Sequence, residues 1–315
     1  MAGWCNAPLG VISPAAMRIL FIASSRIGDA VISSGILEHL RLQYPQARLT
    51  VAVGVAAQDV FAHLPQLERR IVFDKERFDL HWPRLWLKLA GHVWDIVVDV
   101  RGSGLAYFLW AKRRIRIRGG RRPGWRYAQL ADAMGLAPAP LPVAWTDAAD
   151  ARRAEALLPV GLPLIGLGPT ANWEPKIWPA ERFAEVFHAL AGRLPGARAV
   201  IFAGPGEHER RLAARLLALL PDALDLVGRL TLTEAAACLR RMALFIGNDS
   251  GLMHLAAAAG APTLGLFGPS HASQYAPAGA KAAFVEAPGP AGAGKMRDIT
   301  VAAVLEAAER LLAGH

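Results

Sequence analysis

Four short polar segments, each following an apolar run, carry the residue types that could do chemistry. The richest is Gly247-Asn248-Asp249-Ser250-Gly251-Leu252-Met253-His254, set between Ala243-Leu244-Phe245-Ile246 and an alanine-rich stretch ending at Gly260. A further apolar run, Pro262 to Pro269, follows it. Strand, small polar loop, short helix and strand make a βαβ unit. The free N–H groups and positive dipole end of that helix would face a phosphate. Asp249 or Ser250 would cap it, and Gly251 lets a ligand come close to the backbone. Ordinary helix capping yields the same residues, so this segment does not decide by itself.

The second segment is Ser24-Ser25-Arg26-Ile27-Gly28-Asp29, after the apolar run Ile19 to Ala23. A carboxylate on a glycine-containing turn at the mouth of a parallel sheet is placed to meet a substrate, and Asp29 could work as a general acid or base there. Its alternative role is to cap the helix that starts at this point. The third segment, Gly168-Pro169-Thr170-Ala171-Asn172-Trp173-Glu174-Pro175-Lys176-Ile177-Trp178-Pro179, gathers Thr170, Asn172 and Lys176 on a loop rich in Trp and Pro. Lys176 could supply a point charge for a phosphate leaving group. In the fourth, Gly204-Pro205-Gly206-Glu207-His208-Glu209, the acids could bind ribose hydroxyls or simply complement a helix dipole.

Several chemistries are missing from the pattern. The chain has no Asp-x-Asp pair, no Walker loop and no Gly-x-Gly-x-x-Gly opening its first helix. His208 and His254 have no cysteine or carboxylate at metal-ligand spacing, and His254 is expected to pack on its own helix. No metal and no cofactor are therefore expected. An anionic group at these loops would be stabilised by Lys176 and by helix N-termini.

The elements that must position these segments alternate along the chain. With 315 residues, 53% of them hydrophobic, the chain is too long for one small core and suits two domains. In the first half, strands are expected near Arg18–Ala23, Leu49–Val53, Arg70–Phe73, Asp95–Val100 and Ile115–Arg118, with helices between them. The proline-rich stretch Leu136 to Pro142 reads as an extended linker. A second half starts at Leu164 and closes with a helix over Val301–Leu312. The pattern is that of α/β domains with parallel sheets covered on both faces. The expected division is a terminal extension over 1–16, one doubly wound, Rossmann-like domain over 17–150 and a second over 151–315. The two would face each other across a cleft, with ligands at the carboxyl ends of the strands.

Net charge is +9, and it is uneven: eight Lys or Arg and no acid fall between Lys112 and Arg126. Such a patch attracts polyanions, whether nucleic acid, anionic lipid head groups or a phosphorylated substrate. The stretch His81 to Val93 would place Trp82, Leu85, Trp86, Leu89 and Val93 on one helical face and Arg84, Lys88 and His92 on the other. It could rest on a membrane surface, although packing against a sheet is the commoner fate of such a stripe. No run of 18 apolar residues is present, and the first residues lack the basic and apolar regions of a signal peptide. Two distant cysteines, Cys5 and Cys238, offer neither a disulfide framework nor a metal spacing and suit a reducing cytoplasm.

Taken together, the opening Arg18-Ile19-Leu20 with Ser24-Ser25-Arg26-Ile27-Gly28-Asp29, the Lys176-Ile177-Trp178-Pro179 loop and the segment Asp249 to Ala258 running on to Leu266-Phe267-Gly268-Pro269-Ser270 resemble glycosyltransferase family 9, which contains the ADP-heptose:lipopolysaccharide heptosyltransferases. The resemblance spans about Met17 to Ala276. It implies a GT-B fold and inverting, metal-independent transfer from ADP-L-glycero-D-manno-heptose to an anionic glycolipid acceptor, the lipopolysaccharide inner core or a related lipid-linked glycan. By the same resemblance, Asp29 matches the general base and Lys176 the lysine on the leaving diphosphate. Asp249, Ser250 and Gly251 match the phosphate loop, with His254 beside them and with Thr170 and Asn172 on the same donor side. Glu209, or else Glu207, aligns with an acid on the ribose, and Leu230 falls at the adenine pocket. On the acceptor side stand Ser25, Arg26, Gly28, Arg101 and Arg122. Family members commonly have Thr where this chain has Ser250, which keeps the hydroxyl. The expected setting is cytoplasmic and peripheral to the inner membrane, with no nucleic-acid partner. Two other readings stay open: a GT-B nucleotide-sugar epimerase, and a non-catalytic nucleotide- or polyanion-binding protein in which the basic patch is the main feature.

Overall fold

The computed structural model describes residues 17–74, 81–117 and 124–314. Two parallel sheets organise it. The first contains β1 (Arg18–Ile22), β2 (Arg48–Gly54), β3 (Leu67–Phe73), β4 (Trp94–Asp99) and β5 (Ala111–Arg116), in the order β3-β2-β1-β4-β5. The second contains β6 (Leu164–Gly168), β7 (Arg198–Ile201), β8 (Leu224–Asp225), β9 (Leu244–Asn248), β10 (Thr263–Phe267) and β11 (Ala282–Glu286), in the order β8-β7-β6-β9-β10-β11. Central strands β1, β6, β9 and β10 are nearly or wholly buried. That burial explains why they read as unbroken apolar runs rather than alternating ones.

Each sheet reverses direction once, between β1 and β4 in the first and between β6 and β9 in the second. A crevice opens at the carboxyl end of a doubly wound sheet where its order reverses. The segments after β1, β4, β6 and β9 are the ones these crevices bring together; Glu207 and Glu209 follow β7, and Leu230 follows β8. The Lys112-Arg113-Arg114 run, expected to precede a strand starting at Ile115, is itself part of β5. β5 is an edge strand, and an edge tolerates charged side chains that a central strand would not. Arg118 and Arg122 lie outside the described residues.

Helices cover both sheets. α1 (Ile27–Gln43) buries nine of its residues because it meets the first sheet on one side and α8 (Gly251–Ala258) and the proline-rich connector on the other. The connector is extended and tied down: Val143 N–H donates to Ser34 Oγ at 2.8 Å, Trp145 Nε1 to Glu38 Oε2 at 3.0 Å, and Ala144 N–H to the Ala258 carbonyl at 3.1 Å. A Cβ at position 35 would lie 2.5 Å from the Leu141 carbonyl oxygen, so Gly35 is required where the connector crosses α1. Helix α2 (His81–Ala90) buries Leu85 and Leu89 of its apolar stripe together with His81. Trp86 and Val93 of the same stripe stay exposed. The helix stops at Ala90, which carries Val93 off the face, and Trp86 stands at the stripe's edge with its Nε1 donating to the Phe108 carbonyl at 2.8 Å. The last helix runs Val301–Ala313 and packs on the second sheet.

Candidate active site

β9 ends in Asn248, and its loop turns into α8 through Asp249 and Ser250. Asn248 is completely buried and uses both ends of its amide: Oδ1 accepts from the Trp178 N–H at 3.1 Å and Nδ2 donates to the Pro169 carbonyl at 2.8 Å. Both attachment points lie on the loop after β6, so the end of β9 fixes that loop at its start and its finish. Trp178 anchors the far end again, buried against Phe183 with its Nε1 donating to the Ile299 carbonyl at 3.1 Å. Between these anchors the loop offers Thr170, buried, and Lys176, half-buried, while Asn172 points to solvent.

Lys176 Nζ reaches Asp249 Oδ2 at 2.5 Å across 73 residues of sequence. His254, one turn into α8, places Nε2 at 4.0 Å from Asp249 Oδ1. Burial pushes the His254 imidazole below its ordinary value; the nearby carboxylates of Asp249 and Asp29 oppose that shift and Lys176 adds to it. The same influences locate Asp29: the carboxylate from the loop after β1 stands within electrostatic reach of the cluster built by β6 and β9. Asp29 occupies the first turn of α1, whose cap position, Arg26, makes no side-chain capping bond. An acid in that first turn also complements the helix dipole.

The approach of the two halves depends on small residues. A Cβ on Gly28 would sit 3.0 Å from His254 Cδ2, and one on Gly251 would sit 2.9 Å from Ile27 Cγ2. The first turns of α1 and α8 therefore interlock. Ser250 is the cap residue of α8, yet its hydroxyl makes no capping hydrogen bond. With the N–H groups of the helix's first turn, it remains available to an anion.

Other expected site residues surround this centre unevenly. Glu209 is half-buried and folds back toward Gly204, with its Cδ 3.7 Å from where a Cβ there would be. Glu207 is exposed and pairs with Arg211 at 3.0 Å. Of the two, Glu209 is the more enclosed. Leu230 is half-buried against the core near α7 (Leu232–Leu239). In the first domain Ser25 packs against Gly54, and Arg26 is exposed. Arg101 lies over the rings of Trp82 and Phe73 at 4.8 and 5.3 Å. Its loop is held by Asp99, fully buried at the end of β4, whose carboxylate accepts from Arg101 N–H, Gly102 N–H and Ser103 Oγ at 3.1, 2.9 and 2.9 Å. Arg122 lies outside the described residues.

Asn248, Trp178 and Asp99 were not singled out for a role by sequence reading. For Asn248 and Asp99 the signal was a polar residue closing an apolar strand; Trp178 lies in the loop two residues after Lys176. One further cluster, His63 with Asp147 and Asp150, has ligand atoms within 4.8 Å of one another. Its carboxylates are already engaged, Asp147 and Asp150 in the capping box of α4 (Ala148–Leu157) and Asp150 also with Thr233 Oγ1 at 3.0 Å.

Known proteins similar to this chain identify its family and fold. The family model described as Glycosyltransferase family 9 (heptosyltransferase) matches residues 85–298. Lipopolysaccharide heptosyltransferase 2 of Salmonella typhimurium is 26% identical over 81% of this chain and 83% of its own length. Lipooligosaccharide heptosyltransferase 2 of Haemophilus influenzae is 26% identical over 83% of this chain and 86% of its own. A family 9 glycosyl transferase structure from Veillonella parvula superposes with a TM-score of 0.82 at 23% identity, covering 95% of this chain and 98% of that one. The E. coli ADP-heptose lps heptosyltransferase II structure gives 0.77 at 23% identity, covering 95% and 99%. The two-sheet arrangement is thus the GT-B fold.

Proposed function

Because the chain belongs to glycosyltransferase family 9, the heptosyltransferase family, we propose that it moves a heptose from ADP-L-glycero-D-manno-heptose to the lipopolysaccharide inner core, with inversion and without a metal. The observation that carries this reading is the convergence of Asp29 from one sheet with Lys176 and the Asp249-Ser250-Gly251 turn from the other, around the buried His254. A polyanion-binding protein would need no such convergence, because a basic surface alone would serve it.

In this reading the donor diphosphate lies at the first turn of α8, where N–H groups and the Ser250 hydroxyl donate to it. Lys176 leaves Asp249 in part to meet the phosphate charge that grows as the glycosidic bond breaks. The acceptor hydroxyl approaches the anomeric carbon from the Asp29 side. Its oxygen forms the new bond, its proton passes to the Asp29 carboxylate, and the electron pair of the broken bond leaves with ADP. A base on one domain and a phosphate site on the other fit an in-line displacement. Glu209 and Leu230 are the residues we assign to the ribose and adenine. The acceptor being lipid-anchored, the enzyme works at the cytoplasmic face of the inner membrane; no helix among the described residues is long and apolar enough to cross it.

Asp29→Asn tests this assignment. Removing a general base costs about 10²–10⁴ in rate, so transfer from ADP-heptose to heptose-deficient lipopolysaccharide should nearly vanish while ADP binding stays intact. Equal loss of both would make Asp29 structural and sink the assignment.

A further inference from the structure

One face of the first domain carries an apolar surface that neither the core nor the cleft uses. Phe108 is 74% exposed, Trp110 73%, Leu87 69% and Tyr107 60%. All belong to α2 or to the connection between β4 and β5, and these two segments pack together through the Trp86 Nε1 bond to the Phe108 carbonyl. Between them opens a cleft of about 440 Å³ lined by Trp82, Pro83, Trp86, Gly104, Leu105 and Phe108. Single exposed apolar side chains are ordinary on a soluble protein; a contiguous aromatic patch marks an interaction surface. Aromatic side chains are the ones that settle where water meets lipid, with an apolar body and, in Trp and Tyr, a polar edge.

Charge identifies the occupant. Residues 81–117 contain seven Lys or Arg and only two acids. Those two acids are engaged: Asp95 pairs with Lys112 at 2.7 Å, and Asp99 is buried in its loop. Lys88 and Arg113 are exposed, and the Arg114 guanidinium braces the aromatic connection by donating to the Ala106 and Leu109 carbonyls at 3.0 and 2.7 Å. Arg116 lies over the Tyr107 ring at 4.0 Å. The exposed acid beside this face among the described residues is Asp74, in a hollow with Arg84 and Lys88; aromatic anchors in a segment with this excess of basic groups suit an anionic bilayer better than a basic protein face.

Position adds a second observation. The cleft reaches Ser103 and Gly104, which belong to the loop after β4 that Asp99 holds at the carboxyl end of the first sheet. Arg101 of that loop covers Trp82. The aromatic face is therefore continuous with the acceptor side of the active site.

We infer that the surface formed by α2 and the β4–β5 connection seats the protein on an anionic lipid bilayer, with Trp86, Tyr107, Phe108 and Trp110 entering the headgroup region. The inference rests on the reading that the acceptor is lipid-anchored, and it supplies the surface that would deliver such an acceptor to Asp29.

The test is sedimentation of the purified full chain with vesicles of phosphatidylcholine alone and of phosphatidylcholine with phosphatidylglycerol. ADP affinity, and transfer to core oligosaccharide freed of its acyl chains, are measured on the same samples. Wild type should bind the anionic vesicles preferentially, and the binding should weaken as salt rises. Phe108→Ser with Trp110→Ser should lower the vesicle partition constant about tenfold or more per residue, with ADP affinity and transfer to the soluble acceptor retained. Lys88→Glu with Arg113→Glu should lower it as well and flatten its salt dependence. Unchanged vesicle binding in the aromatic variant, equal binding to both vesicle types, or self-association through this face without vesicle binding would each overturn the inference. A wild type that binds anionic vesicles yet transfers no heptose would uphold the surface and overturn the reaction.

Discussion

Asn248→Ala isolates the contact on which the phosphate site depends. The side chain is wholly buried, and both of its hydrogen bonds end on backbone groups of the loop after β6, at Trp178 and Pro169. Truncation leaves a buried N–H and a buried carbonyl without partners, at about 1–3 kcal/mol each. Pro169 and Trp178 are themselves buried. The expected loss of stability is thus about 2–6 kcal/mol, read as a lower denaturant midpoint at an unchanged slope. Because Lys176 sits between the two freed anchors, ADP affinity should also fall about tenfold, the cost of re-ordering a loop that the native contact holds ready. Asn248→Asp sharpens the assay. Its carboxylate can still accept from Trp178 N–H but cannot donate to the Pro169 carbonyl, so it should destabilise at least as much as alanine. A loss below about 0.5 kcal/mol in the alanine variant, or an aspartate variant as stable as wild type, would refute this account of how the loop is held.

Lys176→Ala removes the partner of a carboxylate that is itself largely buried. It should cost about 1–3 kcal/mol of stability, weaken ADP binding and slow transfer together; unchanged ADP affinity in a calorimetric titration would take Lys176 out of the phosphate site. Gly251→Ala brings a Cβ within 2.9 Å of Ile27 Cγ2. Overpacking of that kind costs about 1–3 kcal/mol, enough to outweigh the gain of about 1 kcal/mol in helix propensity, so the variant should be less stable than wild type by denaturant unfolding. Burial holds the His254 imidazole below 6.5, its ordinary value, against the opposing pull of Asp249 and Asp29. The unfolded chain then binds the proton first as pH falls through 6.5. Stability should be fully present above that pH and decline beneath it, by up to about 1.4 kcal/mol per pH unit. His254→Gln should remove that part of the slope, and an identical pH profile in the variant would contradict the assignment.

Much of the architecture was legible because parallel sheets bury their central strands on both faces. Ile19–Ile22, Leu164–Gly168 and Leu244–Ile246 are apolar without interruption, and the polar residues that follow each of them stand at the switch points of the two sheets. The edge strand was harder to place: β5 begins with charged residues whose outward direction only the sheet order explains. The stripe on α2 read correctly as a packing face at Leu85 and Leu89, but sequence periodicity could not show that Trp86 would remain outside. Chemistry-bearing residues were visible one loop at a time. Their meeting was not, because the Lys176–Asp249 pair spans 73 positions and the close approach of Gly28 to His254 joins different domains. The amide of Asn248, which ties two of these loops together, has no periodicity or spacing that announces it.

The most direct test of the donor reading is a calorimetric titration of the purified protein with ADP, UDP and GDP, each with and without EDTA. Selective binding of ADP that EDTA leaves unchanged is the expected result, since Lys176 and the first turn of α8 would meet the diphosphate charge. Preference for UDP or GDP, binding that EDTA abolishes, or no binding to any of the three would contradict a metal-independent ADP-heptose transferase.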